Sequence, residues 1–102
     1  MKKIINGKKY DTETAEYVGR GSNDLCVSDC NWCIEDLYRK KTGEFFLYGE
    51  GGGLSRYRTR LSNNSFCEGC SIIPMTEDDA KAWVEKHLSY EDYVRIFGEP
   101  DE

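Results

Sequence analysis

Two cysteine pairs, Cys30-Asn31-Trp32-Cys33 and Cys67-Glu68-Gly69-Cys70, constrain this chain more than any other feature. Each has the C-x2-C spacing that turns two thiolates toward one tetrahedral ion. A zinc ion (Zn2+) on Cys30, Cys33, Cys67 and Cys70 would tie the middle of the chain to the segment that precedes its C-terminal part. Gly69 suits such a knuckle, because a residue without Cβ lets backbone amides approach the sulfurs. The segment 34–66 between the pairs is longer than in a usual zinc ribbon. Closure therefore demands that the strand starting at Trp32 and the strand at Ser71 be neighbours. Two other readings stay open: the cysteines could serve as small buried hydrophobes, or pair as disulfides. Cys26 is either a free thiol or a substitute for Cys30. His87, the only histidine, is either an edge-of-core residue or a ligand.

Composition explains why a staple would help. The 102 residues suffice for one domain, 1–102, with a modest core. Charged residues make up 32% and the mean hydropathy is -0.72, so apolar material is scarce. A small polar domain of this kind gains from a metal, and its aromatic residues, 13% of the chain, soften the deficit. No apolar run is long enough for a membrane span or a signal-peptide core. The chain is thus expected in the cytoplasm, where reduced cysteines are ligands or free thiols more often than disulfides.

The pattern along the chain predicts an α+β fold, a small antiparallel sheet followed by a C-terminal helical hairpin. Lys3 to Tyr10 reads as a β-hairpin about Asn6-Gly7, since both turn residues must take positive φ. Residues 15–19 form a second strand or the end of a turn, and the Gly, Ser and Asn of 19–24 a loop. From Trp32 to Lys40 the chain alternates, with Ile34, Asp36 and Tyr38 on one side and Cys33, Glu35, Leu37 and Arg39 on the other. Glu44 to Tyr48 has the continuous apolar run of a central strand, ended by a flexible loop at Glu50-Gly51-Gly52-Gly53. Ser71 to Pro74 is a short final strand. Thr76 and Ser89 then cap two helices. Ala80, Trp83, Val84, His87 and Leu88 make one stripe on the first, and Gly98 with Pro100 ends the second.

Charge narrows the function classes. From Ile73 to Glu102 nine acids stand against Lys81, Lys86 and Arg95. Such a segment can dock on a basic protein surface, with Glu85, Glu91 and Asp92 as contact residues. Arg56, Tyr57, Arg58 and Arg60 form the opposite candidate. If extended, this stretch puts its arginines on one face, able to grip phosphates while Tyr57 stacks on a base; a charged edge strand that resists pairing is the plainer reading. Four thiolates leave zinc no open position for catalysis. No Ser-His-Asp set, Cys-His set or phosphate loop is present, and neither Glu35 with Glu44 nor Asp78 with Asp79 makes a persuasive acid and base. The expectation is a protein that is not an enzyme.

Three segments, residues 3–15, 37–51 and 72–99, resemble a family of small proteins carried by phages and mobile elements of Gram-positive bacteria. The middle one, Leu37-Tyr-Arg-Lys-Lys-Thr-Gly-Glu-Phe-Phe-Leu-Tyr-Gly-Glu-Gly51, is the most specific. Many members of that family have no assigned role, and some resemble anti-CRISPR proteins that inhibit type II-A Cas9. The resemblance implies an inhibitor that binds Cas9 or its guide-RNA complex in the bacterial cytoplasm, acting as a monomer and without chemistry. It carries no catalytic motif and no metal site. The alternative is a zinc-stapled accessory or regulatory protein that binds nucleic acid through the arginine face.

Overall fold

The computed structural model describes residues 1–22, 31–53, 55–62, 65–67 and 69–100, with the backbone alone for 60–62 and 65–67. Strands β1 (Lys2–Ile5) and β2 (Lys8–Asp11) form the expected hairpin. Asn6 and Gly7 turn it with φ of 52° and 78°, the mirror-image turn that matches strand twist.

The main sheet is fully antiparallel and has four strands in the order β3-β4-β5-β8. These are β3 (Glu16–Ser22), β4 (Cys33–Arg39), β5 (Phe45–Gly51) and β8 (Gly69–Met75). Between β5 and β8 the chain makes a separate pair, β6 (Thr59–Ser62) with β7 (Ser65–Cys67). Helices α1 (Glu77–His87) and α2 (Tyr90–Phe97) close it. Thr76 and Asp79 make a reciprocal capping box for α1, Ser89 caps α2, and Gly98 ends α2 at φ 88°. The α+β order is as read from the sequence.

Alternation along the strands sorts side chains to two faces. Val18, Leu37, Phe45 and Leu47 face the helices and pack with Ala80, Trp83 and Val84. Phe46 and Ile72 face the other way, where the β1–β2 hairpin lays Tyr10 on them. Leu37, Phe46 and Val84 are wholly buried, each contributing about 1.5–3 kcal/mol of transfer free energy. The two cores share β5, which is why that strand reads as an unbroken apolar run.

Three elements differ from expectation. β3 continues to Ser22 through glycines expected in a loop, because α1 packs on them. A Cβ at Gly19 would lie 2.8 Å from Leu88 Cδ1, and one at Gly21 2.7 Å from the His87 ring. β5 likewise runs on to Gly51 rather than ending in a flexible loop. Residues 55–58 are not extended: Ser55 N–H donates to Gly52 O at 3.0 Å and Arg58 N–H to Ser55 O at 3.2 Å, so β6 begins only at Thr59. A further difference concerns the staple. β5 lies between β4 and β8, so the neighbouring strands that closure of a four-cysteine site demands are not neighbours.

Candidate functional site

A carboxylate buried in a small domain must be given donors, because desolvating it alone costs several kcal/mol. Glu35 on β4 is 7% exposed and faces the helices. Trp83 Nε1 from α1 donates to its Oε1 at 3.1 Å, and the Tyr57 hydroxyl donates to its Oε2. Arg56 Nη1 lies 3.3 Å from the same oxygen. Tyr57 reaches this position only because residue 49 is glycine; a Cβ there would overlap its ring. Burial, then the bond to Glu35, raises the Tyr57 phenol well above the ordinary tyrosine range.

Beside this network is a cavity of about 260 Å³ lined by Cys33, Glu35, Arg56, Lys86 and His87. Burial first and the Glu35 charge second raise the Cys33 thiol, which keeps it protonated and weakly nucleophilic at neutral pH. Both Glu35 oxygens are engaged by Tyr57, Trp83 and Arg56, so the group is built to hold sheet, turn and helix together. His87 is half-buried, its ring 4.8 Å from that of Trp83 and against Gly21. This is the edge-of-core position that its place on the α1 stripe allows.

The arginine face is redrawn. Tyr57 is 3% exposed and spends its hydroxyl on Glu35, so it offers no ring for a base. Arg56 pairs with Glu35 and lies over the Tyr57 ring at 5.3 Å, and Arg58 Nη1 donates to Ser55 O at 3.3 Å. The expected row of arginines on one strand does not form, since a turn holds residues 55–58. The Arg60 side chain lies outside the described residues.

The cysteines divide as well. Cys30 and Cys26 lie outside the described residues, as does the side chain of Cys67, whose backbone pairs with Thr59. Cys33 aligns with Gly51 and Gly69 across the sheet, whereas Cys70 aligns with Glu50 and Ile34. The two thiols therefore sit one register step apart and on opposite faces. Cys33 shares the helix side with Glu35; Cys70 contacts the Tyr48 hydroxyl on the other side, where burial and that contact push Tyr48 up to about 12. Zinc–sulfur bonds of about 2.3 Å cannot be met by thiols across two strand spacings of about 4.8 Å each. As placed, Cys33 and Cys70 do not fit one ion. Among the described residues no group of three or more His, Cys, Asp or Glu is arranged to hold a metal.

On the helices, Glu85 and Glu91 are exposed. Asp92 is half-buried and occupied: it accepts from Ser89 Oγ at 3.1 Å and lies 3.5 Å from Arg95 Nη2. The sequence reading missed what lies between them. Leu88, Tyr90, Tyr93 and Pro100 line a notch of about 290 Å³ with Glu85 at its rim, and Tyr90 is 59% exposed. Tyr90 directly follows the Ser89 cap and extends the Tyr93, Val94 and Phe97 stripe to the first turn of α2, and that extra ring is the signal that could have marked it. No helix among the described residues is long and apolar enough to cross a membrane. No family model, curated protein or solved structure matches this chain.

Proposed function

We propose that this protein is a non-enzymatic Cas9 inhibitor that docks its helix pair onto the nuclease or its guide-RNA complex in the bacterial cytoplasm. The observation that carries the reading is the notch on α2: exposed Tyr90 with Leu88 and Tyr93, Glu85 in the same lining, and exposed Glu91 next to Tyr90 in the chain. An aromatic anchor in a small apolar notch, ringed by charge, is the usual anatomy of a binding hot spot. Cas9 holds its nucleic acids in positively charged channels, and acids at Glu85 and Glu91 complement such a surface. The family resemblance in residues 37–51 and 72–99 supplies the partner. Inhibition proceeds by occupancy, with no zinc-dependent step.

The test is target-DNA cleavage by a Cas9–guide complex with increasing amounts of the protein. The Glu85→Lys, Glu91→Lys double variant and Tyr90→Ala should each raise the amount needed for half-inhibition by about tenfold or more, the scale of one lost hot spot. Both sites are exposed, so folding is retained. Undiminished inhibition by both variants, or no inhibition by the wild type, overturns the reading.

A further inference from the structure

The lysines of the N-terminal hairpin and those of the β4–β5 turn are far apart in sequence and were not grouped by it. The fold brings them together. Lys8, Lys9, Lys40 and Lys41 line one hollow of about 350 Å³ together with two carboxylates, Asp11 and Glu44, and with Thr14 and Thr42 on its walls. A second hollow of about 530 Å³, between Ala15 and the 39–43 turn, shares Lys40 and Lys41 with the first and adds Arg39. Three of these cations are matched locally. Glu44 lies 3.4 Å from Lys8 and 3.6 Å from Lys40, and Glu16 lies 2.7 Å from Arg39. Lys9 and Lys41 are exposed and have no carboxylate partner among the described residues. The hollow thus keeps a surplus of positive charge within an otherwise acidic protein of net charge -5.

An aromatic ladder starts beside it. Tyr10 stands edge-on to Phe46 at 5.4 Å, Phe46 is stacked on Tyr38 at 5.3 Å, and Tyr38 meets Tyr17 at 5.7 Å. The inner end is capped by Lys40, whose ammonium lies 3.6 Å from the Tyr10 ring centre. The outer end is open: Tyr17 is 53% exposed, two residues beyond Ala15, which lines both hollows. Among the described residues, Tyr17 is one of three large hydrophobics that are more than half exposed, with Ile4 and Tyr90. A ring presented to water next to unmatched ammonium groups has the two parts that single strands need, a stacking face for a base and cations for the backbone.

We infer that this end of the molecule binds single-stranded nucleic acid. The phosphates run along Lys9 and Lys41 through the hollows, and one base adds to the ladder on Tyr17. A duplex keeps its bases stacked internally and cannot use Tyr17. Unmatched cations alone would serve either form, so the ring is what selects a strand with free bases. The surface lies on the hairpin side of the sheet and shares no residue with the α2 notch.

Fluorescence anisotropy of the full chain with a labelled single-stranded oligonucleotide, as RNA and as DNA, and with the matching duplex tests this. Affinity for the single strands should exceed that for the duplex and fall with added salt. Lys9→Gln with Lys41→Gln should flatten the plot of log affinity against log salt by about one to two units of slope, near 0.7 per lost phosphate contact. Tyr17→Ala should weaken single-strand binding about tenfold with the salt slope unchanged. Glu85→Lys with Glu91→Lys should not weaken it, which separates this surface from Cas9 docking. No binding by the wild type at low salt, equal binding of duplex, or indifference to the lysine pair or to Tyr17 overturns the inference.

Discussion

Glu35 and Asp36 are neighbours on β4 that face opposite sides of one sheet, and the protein treats them differently. Both are nearly buried, at 7% and 6% exposure. Asp36 is matched across the strand by Arg20, which donates through Nε at 2.7 Å and Nη2 at 3.1 Å. That two-pronged bond lifts the Arg20 guanidinium well above its ordinary range, yet the Arg20 side chain is 56% exposed. Water therefore screens the pair and can take Arg20 back if Asp36 is lost. Glu35 is held instead by two buried neutral donors, Tyr57 and Trp83, with Arg56 alongside. Those donors have nowhere else to turn. A local ion pair fixes register, whereas the Glu35 node joins β4, the 55–58 turn and α1, so it carries tertiary structure.

The contrast is broken most severely at Glu35 itself. Glu35→Ala strands the Tyr57 hydroxyl and the Trp83 indole N–H, at about 1–3 kcal/mol for each buried donor, and should cost about 3–4 kcal/mol in urea denaturation. Asp36→Ala should cost about 1 kcal/mol, as for an ion pair half in water. Equal losses would mean that the Glu35 node is no more than a second surface pair. Gly49→Ala attacks the same node from below. Its Cβ must expel the Tyr57 ring, and an overpacked site of this kind costs about 1–3 kcal/mol. Gly7→Ala, with nothing near its Cβ, should cost only the strain of its positive φ, about 1 kcal/mol.

Tyr57→Phe sharpens the comparison through pH. The folded protein holds the Tyr57 phenol above its ordinary value, while the unfolded chain ionises it near pH 10. Above that pH the unfolded state binds fewer protons than the native one, so this contribution to stability is present below about pH 10 and declines as pH rises further. Tyr57→Phe should cost about 1 kcal/mol at neutral pH and should flatten the alkaline loss of stability. An alkaline decline as steep as in the wild type would place the responsible tyrosine elsewhere, with Tyr48, raised to about 12, the next candidate.

The sequence made some of this legible and hid the rest for one reason. Asn6-Gly7, Thr76 with Asp79, Ser89 and Gly98 act within a few residues of themselves, so the hairpin and both helices were readable. The strict alternation from Trp32 to Lys40 put Glu35 with Leu37 on one side and Asp36 with Tyr38 on the other, as the structure does. What was missed depends on distant partners. Gly19, Gly21 and Gly49 look like loop residues until Leu88, His87 and Tyr57 occupy the missing side-chain space. Tyr57 looks like a stacking ring on an arginine strand until Gly49 admits it beneath the sheet. Glu35 carried one usable signal: a lone carboxylate on the apolar side of a strand needs buried donors, and a tryptophan on the helix stripe is one.

The smallest expected effect bears on the cysteines that opened the sequence reading. Cys33 and Cys70 repeat the two-face division of Glu35 and Asp36, one register step apart and separated by β5. A shared ion would make their substitutions equivalent, each unfolding the protein and each releasing the same metal. The observed faces make them unequal. Cys70 is exposed, so Cys70→Ser should shift stability by no more than about 0.5 kcal/mol, the range for surface changes. Cys33 is half-buried beside Glu35, and Cys33→Ser should cost about 1 kcal/mol, more than Cys70→Ser, because a hydroxyl there adds a polar group to the cavity wall. Metal content measured on both purified variants decides the matter. Cys70→Ser should retain the wild-type metal content and urea midpoint; loss of one equivalent of zinc together with cooperative unfolding in both variants would restore the four-thiolate staple and require β4 and β8 to meet.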